Sequence, residues 1–108
     1  DRKKDLIIKG GINVLPAEIE ELIYQENRVL EAVVAGVPDS LQGENIGCAI
    51  TLRDNTENPE EVIQSIKAIL NQTLSRYKHP TKFIVLEVMP KTLSGKLKRA
   101  DVRKILAQ

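Results

Sequence analysis

The sequence predicts an α+β domain, a small three-stranded mixed sheet flanked by helices and preceded by a short N-terminal two-stranded ribbon. Three observations lead there. The 108 residues make one domain, and with 42% hydrophobic and 29% charged residues the chain can bury a core and is too apolar for global disorder. Short β-prone runs alternate with stretches whose apolar residues recur at helical spacing. Their order is hairpin, helix, strand, strand, helix, strand, loop, helix, which packs helices against a small mixed sheet. Aromatic residues are only 3%, so the core is aliphatic.

Leu6-Ile7-Ile8-Lys9 and Ile12-Asn13-Val14 are β-prone runs on either side of Gly10-Gly11, the pattern of a glycine-centred hairpin. Pro16 suits the first turn of a helix, Glu18, Glu20 and Glu21 favour its positive end, and Ile19, Leu22 and Ile23 make its apolar face. Val29 to Val37 is almost continuously apolar, as expected of a strand covered on both faces, and is predicted to be the central one, with Pro38-Asp39 turning the chain. Gly47 to Leu52 reads as its neighbour. Asn58 with Glu61 is a variant of the capping box and Pro59 fits the first helical position. Val62, Ile63, Ile66, Ile69, Leu70, Thr73 and Leu74 then form an apolar stripe. Lys82 to Val88 is a third strand, Met89 to Lys96 a loop, and Lys98 to Ala107 a terminal helix.

Composition removes several classes of function. Sixteen Lys+Arg against 15 Asp+Glu leave a net charge of +1, and only Phe83, Tyr24 and Tyr77 could stack on bases or sugars, so no nucleic-acid partner is expected. One cysteine, Cys48, and one histidine, His79, cannot make a zinc site or an internal disulfide. They read as a buried strand residue and a loop residue, no metal site is expected, and a reducing, cytoplasmic compartment fits best. No apolar stretch approaches the roughly 20 residues of a transmembrane span, and Asp-Arg-Lys-Lys-Asp leads into no signal-type segment. The chain enters patterned sequence directly at Asp1, as expected of a domain excised from a larger protein.

Two segments could carry chemistry. In Pro90-Lys91-Thr92-Leu93-Ser94-Gly95-Lys96, proline restricts the entry, Gly95 permits a left-handed backbone, and Lys96 at the exit could reach a phosphate as a mobile point charge. It is not a Walker loop, since upstream glycines and a Ser or Thr after Lys96 are lacking, and an ordinary turn before a basic helix is the alternative. Around Gly10-Gly11 a ligand or another backbone could come close, or the pair could simply make a hairpin turn. The cluster Lys91, Lys96, Lys98, Arg99, Arg103 and Lys104 reads as a solvated helix face or, alternatively, as the surface of a non-catalytic binding module.

Taken together, these segments resemble a family. Asp1 to Glu20, Tyr77-Lys78-His79-Pro80 and Pro90 to Arg99 are similar, in order and over the whole chain, to the hinge and closing motifs of adenylate-forming enzymes. These comprise acyl-CoA synthetases, luciferases and peptide-synthetase adenylation domains. The part resembled is the mobile C-terminal domain, spanning 1–108 with its hinge at 1–5. The resemblance implies an acid–thiol ligase using ATP, Mg2+ and coenzyme A, bound mainly by or with an N-terminal large domain. A carboxylic acid is adenylated with release of pyrophosphate, and a thiol then captures the acyl group.

By motif position Lys96 matches the adenylation lysine, Lys4 the hinge, and Arg2 an arginine near the ATP ribose. Gly10 and Gly11 match the ribbon lining the pantetheine tunnel, and Asn13 a nucleotide-phosphate contact. Ile8 stands where coumarate ligases and luciferases carry lysine, a departure that makes the first motif more similar to medium- and long-chain fatty acyl-CoA synthetases. The thiol acceptor is coenzyme A or, alternatively, a carrier-protein phosphopantetheine. The fragment alone is expected to be inactive.

Overall fold

A computed structural model describes residues 5–108. Its strands are β1 (Ile7–Lys9), β2 (Ile12–Val14), β3 (Val29–Asp39), β4 (Gly43–Leu52) and β5 (Lys82–Val85). Its helices are α1 (Pro16–Ile23), α2 (Pro59–Thr73) and α3 (Arg99–Leu106), with a 3-10 turn at Arg76–Lys78. The α+β class is as predicted, but the sheet is a single mixed one of five strands, because the ribbon joins it through the pair Lys9 and Gly43.

The central strand is β4, not β3. It pairs antiparallel with β3 from Gly43 opposite Asp39 to Leu52 opposite Val29, and parallel with β5 from Gly47 opposite Lys82 to Ile50 opposite Val85. The reason the sequence misleads is geometric. A continuous apolar run reports burial above and below the sheet, whereas central or edge position is decided in its plane by backbone partners.

The outer edge of β3 is closed by side chains instead. Tyr24 Oη accepts from the Ala32 N–H at 2.8 Å, and Glu20 Oε2 accepts from the Val34 N–H at 2.8 Å. Arg99 Nη1 donates to the Val34 carbonyl at 2.7 Å. Because Ala32 and Val34 turn their backbone groups outward, Pro38 in the same phase removes no ladder bond. The strand therefore runs through Pro38 and turns only at Ser40 to Gln42.

Both faces of the sheet are covered, which is why β3 and β4 alternate between two cores. Ala32, Val34, Ile46, Cys48 and Ile50 pack with Ile19 and Ile23 of α1 and Val62, Ile66 and Leu70 of α2. Val33, Ala35, Val37 and Ala49 pack with Val102 and Leu106 of α3 and with Met89. Helix α2 starts as predicted: the Asn58 side chain accepts from the N–H groups of Glu60 and Glu61 at 2.9 and 3.4 Å, and Pro59 occupies the first turn. The stripe holds too, except that Thr73 is exposed. Strand β5 ends at Val85 rather than Val88. Leu86 makes one more bond, to the Ile50 carbonyl at 2.9 Å, before Val88 lies in solvent and Met89 drops into the second core.

One buried carboxylate ties α1, β3 and α2 together. Glu26 accepts from the Arg28 backbone N–H, Nε and Nη2 at 3.0, 2.8 and 3.1 Å, and from the Ser65 hydroxyl. The Arg28 hydrogen bond lowers its pKa from the usual 4.5 to about 2, against the opposing effect of burial. A depressed carboxylate stabilises the fold above its unfolded pKa, so this contribution is lost as pH falls from about 4.5 towards 2. Glu26→Gln is expected to cost about 1–3 kcal/mol at neutral pH and to flatten the acid limb of the stability profile. Chemical denaturation at pH 7 and pH 3 checks this: a variant that parallels the wild type at both would show that Glu26 is not the acid-sensitive group.

Candidate functional site

Residues 91–97 form a miniature hairpin rather than an unstructured loop. Lys91 and Leu97 bridge antiparallel, the Thr92 N–H donates to the Lys96 carbonyl at 2.8 Å, and the Gly95 N–H donates to the Thr92 carbonyl at 2.9 Å. The Thr92 hydroxyl accepts from the Lys96 N–H at 3.1 Å. Gly95 has φ +92°, and a side chain there would meet no atom within 4 Å, so glycine is required by backbone conformation and not by space.

The hairpin is anchored at both feet. Met89 is buried before it, and the Lys98 N–H closes its base on the Pro90 carbonyl at 2.9 Å. Lys91 pairs with Glu31 at 2.5 Å, and Glu31 also accepts from the Thr51 hydroxyl at 2.7 Å. The Lys91 hydrogen bond holds the Glu31 carboxyl below its ordinary range. After the hairpin, Arg99 Nη1 pairs with Glu20 Oε2 at 2.6 Å, and its Nε lies 3.5 Å from Asp5 Oδ2.

Within this frame Lys96 and Lys104 are left over among the described residues, and only Lys96 lies on the hairpin. Lys91, Lys98, Arg99 and Arg103 are matched to Glu31, Asp101, Glu20 and Glu44, whereas Lys96, exposed, has no carboxylate within ion-pair distance among the described residues. Leu93 at the hairpin tip is fully exposed. The pairing of four of the six basic residues also dissolves the apparent cationic patch and leaves a mostly neutralised helix face. Lys96, Leu97 and Lys98 border an open groove of about 990 Å³ that extends past Gly36 and Glu44 to Leu6.

The second candidate is the turn between β1 and β2. Gly10 and Gly11 have φ +56° and +83°, two successive left-handed residues as a tight hairpin turn requires. A side chain on Gly11 would meet nothing within 4 Å, while one on Gly10 would collide with the Tyr77 hydroxyl. Asn13 is exposed on β2 opposite Ile8. Lys96 borders the groove, Lys9 borders a separate pocket of about 310 Å³, and Gly10, Gly11 and Asn13 border neither. The chain thus presents its two candidate segments apart and does not bring them into one cleft. Arg2 and Lys4 lie outside the described residues.

His79 and Cys48 are structural. The His79 ring nitrogen meets the Leu74 carbonyl at the end of α2 at 3.0 Å, and Cys48 is buried beneath that helix, its thiol pKa pushed up by desolvation. No group of three or more His, Cys, Asp or Glu able to hold a metal ion occurs among the described residues. Nor is any described helix long and apolar enough to cross a membrane.

The sequence marks Glu20 as a helix-start acid and Arg99 as one of a basic cluster, but assigns neither, nor Glu31, an anchoring role. Arg99 and its partner Glu20 are 79 residues apart, and no local pattern distinguishes either from a solvated charge. The one available signal is negative: a cation at the first residue of α3 opposes the helix dipole, so something other than helix propensity selects it.

The fold is a small sheet covered on both faces that carries an anchored lysine hairpin at one place and a diglycine ribbon at another. Residues 18–96 match the model of the AMP-binding enzyme C-terminal domain, and the chain belongs to that family. It is 39% identical over 99 residues to the long-chain-fatty-acid–CoA ligase of Bacillus subtilis, covering 92% of this chain and 17% of that one. It is 37% identical over 102 residues to the mitochondrial medium-chain acyl-CoA ligase of Danio rerio, covering 94% and 16%. Among solved structures, a Mycobacterium tuberculosis fatty acyl CoA synthetase superimposes with a TM-score of 0.81 at 35% identity, covering 97% of this chain and 20% of that one. The chain therefore spans about a fifth or less of the length of these relatives.

Proposed function

We propose that this chain is the C-terminal domain of an ATP-dependent carboxylic acid–CoA ligase acting on fatty acids through an acyl-adenylate. The observation that carries the reading is Lys96: an exposed cation without a carboxylate partner among the described residues, on a hairpin anchored at both feet, inside the segment that matches the family. The long- and medium-chain ligases among the relatives support the acyl class. The buried Cys48, without a disulfide partner, is compatible with a reducing, cytoplasmic setting.

Two anions must meet in the first half-reaction. A carboxylate oxygen attacks the α-phosphorus of ATP and the bond to the bridging oxygen breaks, so pyrophosphate leaves. Lys96, as a cation between them, lowers their repulsion and stabilises the charge spreading at phosphorus. In the second half-reaction the thiol sulfur, having lost its proton, attacks the acyl carbon and the acyl–oxygen bond breaks, releasing AMP. The unobstructed backbone at Gly11 suits the close passage of a pantetheine arm, and Asn13 suits a nucleotide contact. Lys4 is assigned to the hinge and Arg2 to the ribose, both on a segment entering from a large N-terminal domain that supplies the acid site. The chain has no acidic cluster of its own among the described residues, so the magnesium is assigned to the nucleotide and that domain. Domain rotation between the half-reactions would let one small module use two separate segments.

The test is acid-dependent ATP–pyrophosphate exchange by the full-length protein across medium- and long-chain fatty acids, followed by AMP release on adding coenzyme A. Exchange with at least one fatty acid and thiol-dependent turnover are expected, while the 108-residue chain alone folds and is inactive. Absence of exchange with every carboxylic acid offered would refute the reading.

A further inference from the structure

The β1–β2 ribbon carries the diglycine turn, yet a single register pair, Lys9 with Gly43, joins it to the main sheet. Its base is held by Ile7 and Val14, both buried in the main core, and by the Ile8 N–H, which donates to Glu44 Oε1 at 2.8 Å, whereas Gly10, Gly11 and Ile12 at the turn end are exposed. The turn end is held by a reciprocal clamp with the 3-10 turn 68 residues away. The Tyr77 hydroxyl donates to the Lys9 carbonyl, while Lys9 Nζ donates to the Tyr77 carbonyl at 2.8 Å and lies 4.4 Å from the centroid of the Tyr77 ring. Lys9 is only 6% exposed and has no carboxylate partner among the described residues, so its ammonium is satisfied by a carbonyl and an aromatic face. The Tyr77 hydroxyl sits where a Gly10 side chain would be, and the Gly10 N–H donates to the Gln42 carbonyl at 2.8 Å. Next to Tyr77, Lys78 pairs with Glu18 of α1 at 3.2 Å.

We propose that Lys9 and Tyr77 are positioning residues for the thiol-transfer half of the reaction, their reciprocal clamp holding the Gly10-Gly11 turn at a fixed height and angle. This rests on the ligase reading above. Burying a lysine against a carbonyl and a ring is an expensive way to close a hairpin of three-residue strands, and a simple apolar contact would serve a ribbon with no positional demand. The sulfur must approach the acyl carbon along a narrow path, so small displacements of the backbone it passes slow its attack steeply. The cation assigned to adenylation, Lys96, is on the other segment, whose anchors Glu31, Glu20 and Arg99 make no ion pair or hydrogen bond with Tyr77; Asn13 on the ribbon bears on nucleotide binding, so exchange is read at saturating ATP.

The experiment uses the full-length ligase with Tyr77→Phe, Lys9→Met and the double variant. It measures acid-dependent ATP–pyrophosphate exchange and single-turnover thioester formation from supplied acyl-adenylate and coenzyme A. Each single variant is expected to slow thioester formation roughly ten- to a hundredfold, to leave exchange within about twofold of wild type, and to combine non-additively because the two act as one unit. Tyr77→Phe retains the ring and its packing, so it decides the matter even if Lys9→Met does not fold. An equal fall in both half-reactions, or normal thioester formation by Tyr77→Phe, would overturn the clamp while leaving the ligase reading intact. A wild-type protein without exchange activity would overturn both.

Discussion

Lys96→Ala in the full-length ligase is expected to reduce acid-dependent ATP–pyrophosphate exchange by about 10²–10³-fold, the size of effect that follows loss of one preorganised group facing developing charge. Thioester formation from supplied acyl-adenylate should survive, because in the proposed rotation the diglycine ribbon, and not the Lys96 hairpin, faces the reacting atoms during that step. Folding should be unaffected as well: among the described residues the Lys96 side chain has no salt bridge, and the hairpin is held by the Thr92, Gly95 and Lys98 backbone contacts and by Lys91 and Arg99. Lys96→Arg should recover only part of the loss, since a planar fork is not a mobile point charge. Undiminished exchange in Lys96→Ala would return the hairpin to a structural or partner-binding role.

Arg99→Ala should behave in the opposite way, damaging the fold first and catalysis through it. One guanidinium bonds Glu20 at 2.6 Å and the Val34 carbonyl at 2.7 Å, so its removal strips a partner from a largely buried carboxylate and uncovers a backbone acceptor on the edge of β3. The expected cost is about 2–4 kcal/mol, since breaking a partly buried pair leaves an uncompensated charge. Because Arg99 opens α3 directly after the Lys96 hairpin, exchange should fall as well. Glu20→Gln, which can still accept from the Val34 N–H, should cost less. Equilibrium denaturation of the 108-residue chain compares both variants with wild type, and an Arg99→Ala midpoint equal to wild type would mean the network is a surface ornament.

What could be read without coordinates was whatever is encoded within a few residues. The cap at Asn58, the proline starts of α1 and α2, the paired glycines at the ribbon turn and the left-handed Gly95 are local, because each depends on backbone conformation or on hydrogen bonds to immediate neighbours. The two-sided burial of β3 was equally legible, since side chains alternate across the sheet and both sets are apolar. The family motifs belong here too, being contiguous strings.

The tertiary structure decided the rest, and for one physical reason. Which strand is central, which lysine is left without a partner, and what holds each loop are settled by pairings across long stretches of chain. Examples are Lys91 with Glu31, Arg99 with Glu20, and Lys9 with Tyr77. In the sequence Lys91, Lys96 and Lys98 are alike, three cations in a row of basic residues. Lys98 finds Asp101 within its own helical turn, but only when folding brings the distant Glu31 against Lys91 does Lys96 stand apart on the hairpin, because an ion pair depends on distance in space and composition carries no record of it.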